Sequence, residues 1–89
     1  MLERLERLRT TLAEAGATVA IRGAGSARFV LAEHQGRAIE ASLKSDAWWI
    51  EFWETDNDAN APPVGEQNVA DDAEAIQVAI AWLIAKTAS

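Results

Sequence analysis

The sequence predicts an α+β fold: a two-layer α-β-β-β-β-α arrangement in which a four-stranded antiparallel meander carries the N- and C-terminal helices on one face. Three observations predict it. Leucines recur at helical spacing near the start, four short alternating or aromatic stretches follow with tight turn signals between them, and an isoleucine-rich helical stripe closes the chain. Its 89 residues fit one domain, residues 1–89, with a core that needs no disulfide or metal.

Leu2, Leu5, Leu8 and Leu12 lie three and four apart, and Glu3 and Arg7 are spaced for an i,i+4 pair, so residues 2–15 read as an amphipathic helix ended by Gly16. In the next stretch, residues 17–22, Ala17, Val19 and Ile21 share one parity. A turn at Gly23-Ala24-Gly25-Ser26 leads into residues 28–33, where Phe29 and Leu31 are expected on the core side. After His34-Gln35-Gly36, residues 37–44 alternate Ile39, Ala41 and Leu43 against Ala38, Glu40, Ser42 and Lys44. Beyond Ser45-Asp46, the aromatic stretch 47–55 reads as the fourth strand.

Residues 56–68 read as loop from their Asn, Asp, Gly and paired prolines, with a brief edge strand near Val64 to Val69 left open. Asp71 with Glu74 has capping-box spacing, and Ile76, Ala79, Ile80, Leu83 and Ile84 form a helical stripe to about residue 86. On this helix Val78 and Trp82 lie away from the main stripe, so it is apolar nearly all round. Trp82 then either packs against the first helix or serves a homodimer or partner contact.

Charge is segregated along the chain. Residues 1–44 carry seven Lys/Arg against five Asp/Glu, while residues 45–89 carry one against nine, which together give the net charge of −6. Such a field repels phosphate backbones and attracts basic partners, so nucleic acid is excluded although tryptophans near arginines resemble a base-stacking platform. The absence of cysteine removes disulfide scaffolds, thiolate nucleophiles and Cys-ligated zinc. Neither a secretory h-region nor an apolar run long enough for a bilayer is present, so the expected location is cytoplasmic and no membrane partner is expected.

No catalytic motif is found, and the chain is expected not to be an enzyme. His34 stands alone in a turn, where histidine is usually solvated. Glu51 and Glu54 have opposite parity and cannot act as paired carboxylates. Asp56-x-Asp58-x-Asn60 opens like a calcium loop, but Ala61 replaces the glycine at position six, Gln67 replaces the glutamate at position twelve, and Pro62-Pro63 stiffens the middle. It reads as an acidic solvated turn, with no metal or other cofactor. The Arg22-Gly23-Ala24-Gly25-Ser26-Ala27-Arg28 turn matches no phosphate-loop spacing and lacks a helix N-terminus, although an anion or ligand site there is a further reading.

Strand parity points to a surface instead. It sends Trp49, Glu51 and Trp53 to the sheet face away from the helices, with Thr18, Arg22, Arg28, Val30, Glu40 and Ser42. Each indole carries roughly 150–250 Å² of area, and a bare patch of a few hundred Å² commonly marks an interaction site. Either a partner covers these rings, or Arg22, Arg28 and the 56–68 loop fold over them. The expected protein-binding residues are Trp49, Glu51 and Trp53 with Asp56 and Asp58, the tryptophans as anchors and the carboxylates for steering.

The run Trp49-Ile50-Glu51-Phe52-Trp53-Glu54, the acidic loop, Pro62-Pro63-Val64, and a closing helix with Glu74-Ala75-Ile76 and Trp82-Leu83 resemble the C-terminal half of small acidic bacterial proteins. Some of these are similar to immunity proteins of contact-dependent or polymorphic toxin systems. That resemblance implies a binding protein that offers acidic residues to a basic toxin site. The expected function is thus an acidic protein-interaction module, immunity-like, that docks a basic partner. A self-assembling homodimeric subunit is the alternative.

Overall fold

The computed structural model describes residues 2–54 and 62–84. Helix α1 spans Leu2–Glu14 and buries Leu5, Leu8 and Leu12, the stripe that its spacing anticipates. It ends in a Schellman motif, in which the Ala17 amide donates to the Leu12 carbonyl at 3.1 Å and the Gly16 amide to the Ala13 carbonyl at 3.0 Å. Gly16 takes φ +108° to make that reversal, and Ala17 follows it into the core beside Leu12.

Five strands follow: β1 (Thr18–Arg22), β2 (Phe29–His34), β3 (Arg37–Lys44), β4 (Ala47–Glu54) and β5 (Gly65–Val69). They form one antiparallel sheet in sequence order, β1-β2-β3-β4-β5. Two-residue turns with positive φ, Gln35-Gly36 and Ser45-Asp46, join β2 to β3 and β3 to β4 and fix their registers. The four-stranded expectation is corrected by β5, whose edge position requires little apolar content and is paired to β4 from Trp48↔Val69 to Phe52↔Gly65.

Helix α2 spans Asp72–Leu83 and is capped by Asp71, whose carboxylate accepts from the Ala73 amide at 3.1 Å. Its buried face, Ala75, Ala79 and Leu83, shares one core with Leu5, Leu8 and Leu12 of α1 and with Val30, Ala32, Ile39, Ala41, Leu43, Trp48, Ile50 and Val69 of the sheet. Both helices therefore cover the same sheet face. Ala75 and Ala79 of α2 and Ala32 and Ala41 of the strands are all fully buried in this core, and small side chains of this kind permit close packing of a helix on a sheet.

The side assignment of β2 is a correction. Val30 and Ala32 are fully buried beneath the helices, while Phe29 and Leu31 are half-buried on the other face. Both parities of Phe29-Val30-Leu31-Ala32 are apolar, so alternation alone does not choose, and the closely packed helices select the smaller pair. Trp82 is a second correction: it packs on the sheet and not on α1. Its ring meets Phe52 edge-on at 5.6 Å, and Nε1 donates to the Ala38 carbonyl at 3.1 Å and the Trp53 carbonyl at 3.3 Å.

Polar contacts lock the two helix ends to the sheet. Asp72 accepts from Arg4 Nε and from Trp48 Nε1, each at 2.8 Å, so one carboxylate joins α1, α2 and β4. At the other end His34 Nδ1 lies 2.9 Å from the Leu83 carbonyl, and Arg37 donates to the Trp82 carbonyl at 3.1 Å while its guanidinium sits 4.5 Å from the indole centroid. His34 is thus half-buried against a helix end, which replaces the solvated turn position expected for it. No described helix is long and apolar enough to cross a membrane.

Candidate functional site

With the helices on one side, the opposite sheet face is read directly from the register. One cross-strand row holds Arg22, Phe29, Ser42, Trp49 and Asn68; the next holds Ala20, Leu31, Glu40, Glu51 and Glu66; a third holds Thr18, Glu33, Ala38 and Trp53. Trp49, Glu51 and Trp53 all lie on this face, as parity requires, and all three are half-buried. Asp56 and Asp58 lie outside the described residues.

Glu40, Glu51 and Glu66 are direct neighbours on three adjacent strands, Glu40↔Glu51 and Glu51↔Glu66. Opposed carboxylates repel, and such pairs normally destabilise a sheet. None of the three makes an ion pair with a described residue. Burial pushes the Glu40 carboxyl above its ordinary range, and the Glu51 charge adds to the same effect.

The carboxylates border a groove of about 480 Å³ lined by Ser26, Ala27, Phe29, Glu40, Ser42, Leu43, Lys44, Trp49, Glu51 and Glu66. Phe29 and Trp49 flank Ser42, whose small side chain leaves space between the rings. Among the described residues the cation on an open-face ring is Lys44, with Nζ 5.7 Å from the Trp49 centroid, in place of the Arg22 or Arg28 lids that were one alternative for covering the rings. Two further cation–π contacts among the described residues, Arg4 on Trp48 and Arg37 on Trp82, belong to the helix side.

Compared with known proteins, the chain matches no family model, no curated protein and no solved structure significantly.

The remaining candidates are also placed by the coordinates. The Arg22 to Arg28 turn winds into a short 3₁₀ segment, Gly25–Ala27, whose Ala27 and Arg28 amides donate to Ala24 and Gly25 carbonyls, so these N–H groups are already used. Among the described residues no three His, Asp or Glu side chains converge as a metal site requires. Glu54 is placed across from Arg37, on the face opposite Glu51. Trp53 keeps its backbone carbonyl bonded to Trp82, but its own Nε1 is sealed from solvent without a hydrogen-bond partner among the described residues.

Sequence reasoning missed Phe29 and Glu66 as groove residues, and it placed Glu40 on this face without its pairing to Glu51. The signal for Glu40 was present: a two-residue turn at Ser45-Asp46 sets Lys44 opposite Ala47 and hence Glu40 opposite Glu51. No comparable signal existed for Glu66, because its strand follows a longer connection.

Proposed function

We propose that the protein is a binding module that docks a protein partner with a basic surface through the open face of its sheet. The observation that supports this most directly is the uncompensated carboxylate row, Glu40, Glu51 and Glu66, set beside Phe29 and Trp49 on the face that neither helix covers. Aromatic side chains supply contact area, and the acid row supplies long-range steering and rejection of acidic competitors. The resemblance to immunity-type proteins favours the same reading, since it implies a basic partner. On this reading the chain acts by occupying a site on its partner and performs no chemistry, and nucleic acid is repelled by the face that binds protein.

Affinity capture tests the proposal. Wild-type protein and a triple variant, Glu40→Gln, Glu51→Gln and Glu66→Gln, are presented to the same source extract at low and high salt. A partner retained by the wild type at low salt, released by high salt and absent from the variant supports docking on this face. Equal recovery with both proteins would contradict it.

A further inference from the structure

We infer that the groove takes an arginine side chain from an extended segment of the partner, with its guanidinium against Trp49 and Phe29 and its N–H groups donating to Glu40 and Glu51. This rests on the docking reading above and specifies the chemistry of its occupant. It is carried by the shape of the acceptor set, by the aromatic wall and by the cation already beside that wall.

Glu40 and Glu51 are direct cross-strand partners, which places their Cβ atoms about 5 Å apart, and Glu66 continues the row one strand further. The row is linear and does not converge on one point, consistent with the lack of a metal-like cluster among the described residues. Several acceptors along a line suit a planar donor with N–H groups on several edges, which guanidinium has and ammonium lacks. The neighbouring row offers Phe29 and Trp49 on either side of small Ser42, and a guanidinium plane can stack on a ring while its edges keep their hydrogen bonds.

Lys44 shows that this wall accepts a cation. Its Nζ lies 5.7 Å from the Trp49 centroid, yet it makes no ion pair with the carboxylates beside it. An arginine seated deeper would meet both the ring and the acids and displace that ammonium. The groove, at about 480 Å³, has the size of a small-ligand pocket and not of a single ion, so backbone flanking the arginine also enters it. A guanidinium between Glu40 and Glu51 would offset the burial and the Glu51 repulsion that together raise the Glu40 carboxyl.

Three capped tripeptides that differ only at the centre, with arginine, lysine or citrulline, test this by titration into the ¹⁵N-labelled chain, with the Trp49 indole resonance assigned through Trp49→Phe. The arginine peptide is expected to move that resonance at the lowest concentration, the lysine peptide to bind more weakly, and the uncharged citrulline peptide to have no effect. Glu40→Gln and Glu51→Gln, each checked to melt no lower than the wild type, should weaken the arginine peptide by about tenfold. Lys44→Ala should strengthen it. Citrulline matching arginine, or binding indifferent to Glu51→Gln, overturns the inference. Lysine equalling arginine removes the arginine assignment and leaves docking of a basic partner intact, and so does a silent Trp49 while a captured partner still depends on this face. A partner indifferent to the triple glutamine variant removes the docking reading itself.

Discussion

The indole Nε1 of Trp48 donates to Oδ1 of Asp72 at 2.8 Å, and this bond ties the most deeply buried aromatic ring of the sheet to the first turn of α2. Arg4 donates to the same oxygen and Arg7 lies 3.5 Å from the other, so the carboxylate also anchors α1. Asp72→Ala should destabilise the fold by about 1–3 kcal/mol, chiefly because it leaves a buried indole N–H without an acceptor. Urea unfolding measures it, and in a Trp48→Phe background, where no indole N–H remains, the loss should be smaller.

The same site sets a pH response. The hydrogen bond from Arg4, with that from Trp48, holds the Asp72 carboxyl below its ordinary value of 3.8. A lowered folded-state pKa contributes stability that is complete above the unfolded value and is lost as pH falls through the folded one. Thermal melts below pH 4 should therefore show a steep loss in the wild type and a shallower one in Asp72→Asn.

Glu40 has the opposite sign. Burial, with the charge of Glu51, raises its carboxyl above 4.5, so the folded state holds this proton more tightly and gains stability from it as pH falls through the raised value. Glu40→Gln should raise the melting temperature at pH 7 and remove that gain, while it weakens partner binding. Improved stability with impaired binding would mark the residue as retained for recognition.

Gly16 and Gly23 differ in what their backbone demands. Gly16 sits at φ +108° with open space where a Cβ would be, so Gly16→Ala should cost only the left-handed conformation, about 1 kcal/mol. Gly23 sits at φ +84° and a Cβ there would meet the Ala27 carbonyl oxygen at 2.5 Å. Gly23→Ala should therefore be the more damaging, by about 2–3 kcal/mol, in the same denaturation experiment.

Trp53 separates structure from recognition. Its Nε1 is sealed without a partner among the described residues, so Trp53→Phe should leave stability within about 1 kcal/mol of wild type. Trp49→Ala should likewise leave the melting transition nearly unchanged, because that ring borders the groove and lies outside the buried core.

Most of the architecture was legible because period and punctuation agreed. The leucine spacing of α1, the Asp71 cap and the two-residue turns each left one local solution, and the strand bounds follow from them. Where two solutions were equally apolar the pattern was silent, and β2 turned Val30 inward and Phe29 outward on grounds of packing size. The fifth strand was left open near Val64 to Val69 and not counted in the sheet, because Gly65-Glu66-Gln67-Asn68 has the polar composition of a loop and becomes a strand only by pairing with β4. The groove inherits both misses: Phe29 comes from the first and Glu66 from the second. Trp49 and Glu51 were legible because β4 has one strongly buried parity, Trp48 and Ile50, that forces its neighbours outward.

The most direct measurement is the affinity of a captured partner for four proteins: wild type, Trp49→Ala, Glu51→Gln, and Glu3→Gln on the exposed side of α1. Docking on the open sheet face requires the first two variants to lose about tenfold or more while Glu3→Gln matches wild type. Equal affinity across all four, or a loss confined to Glu3→Gln, would place the partner elsewhere on the protein.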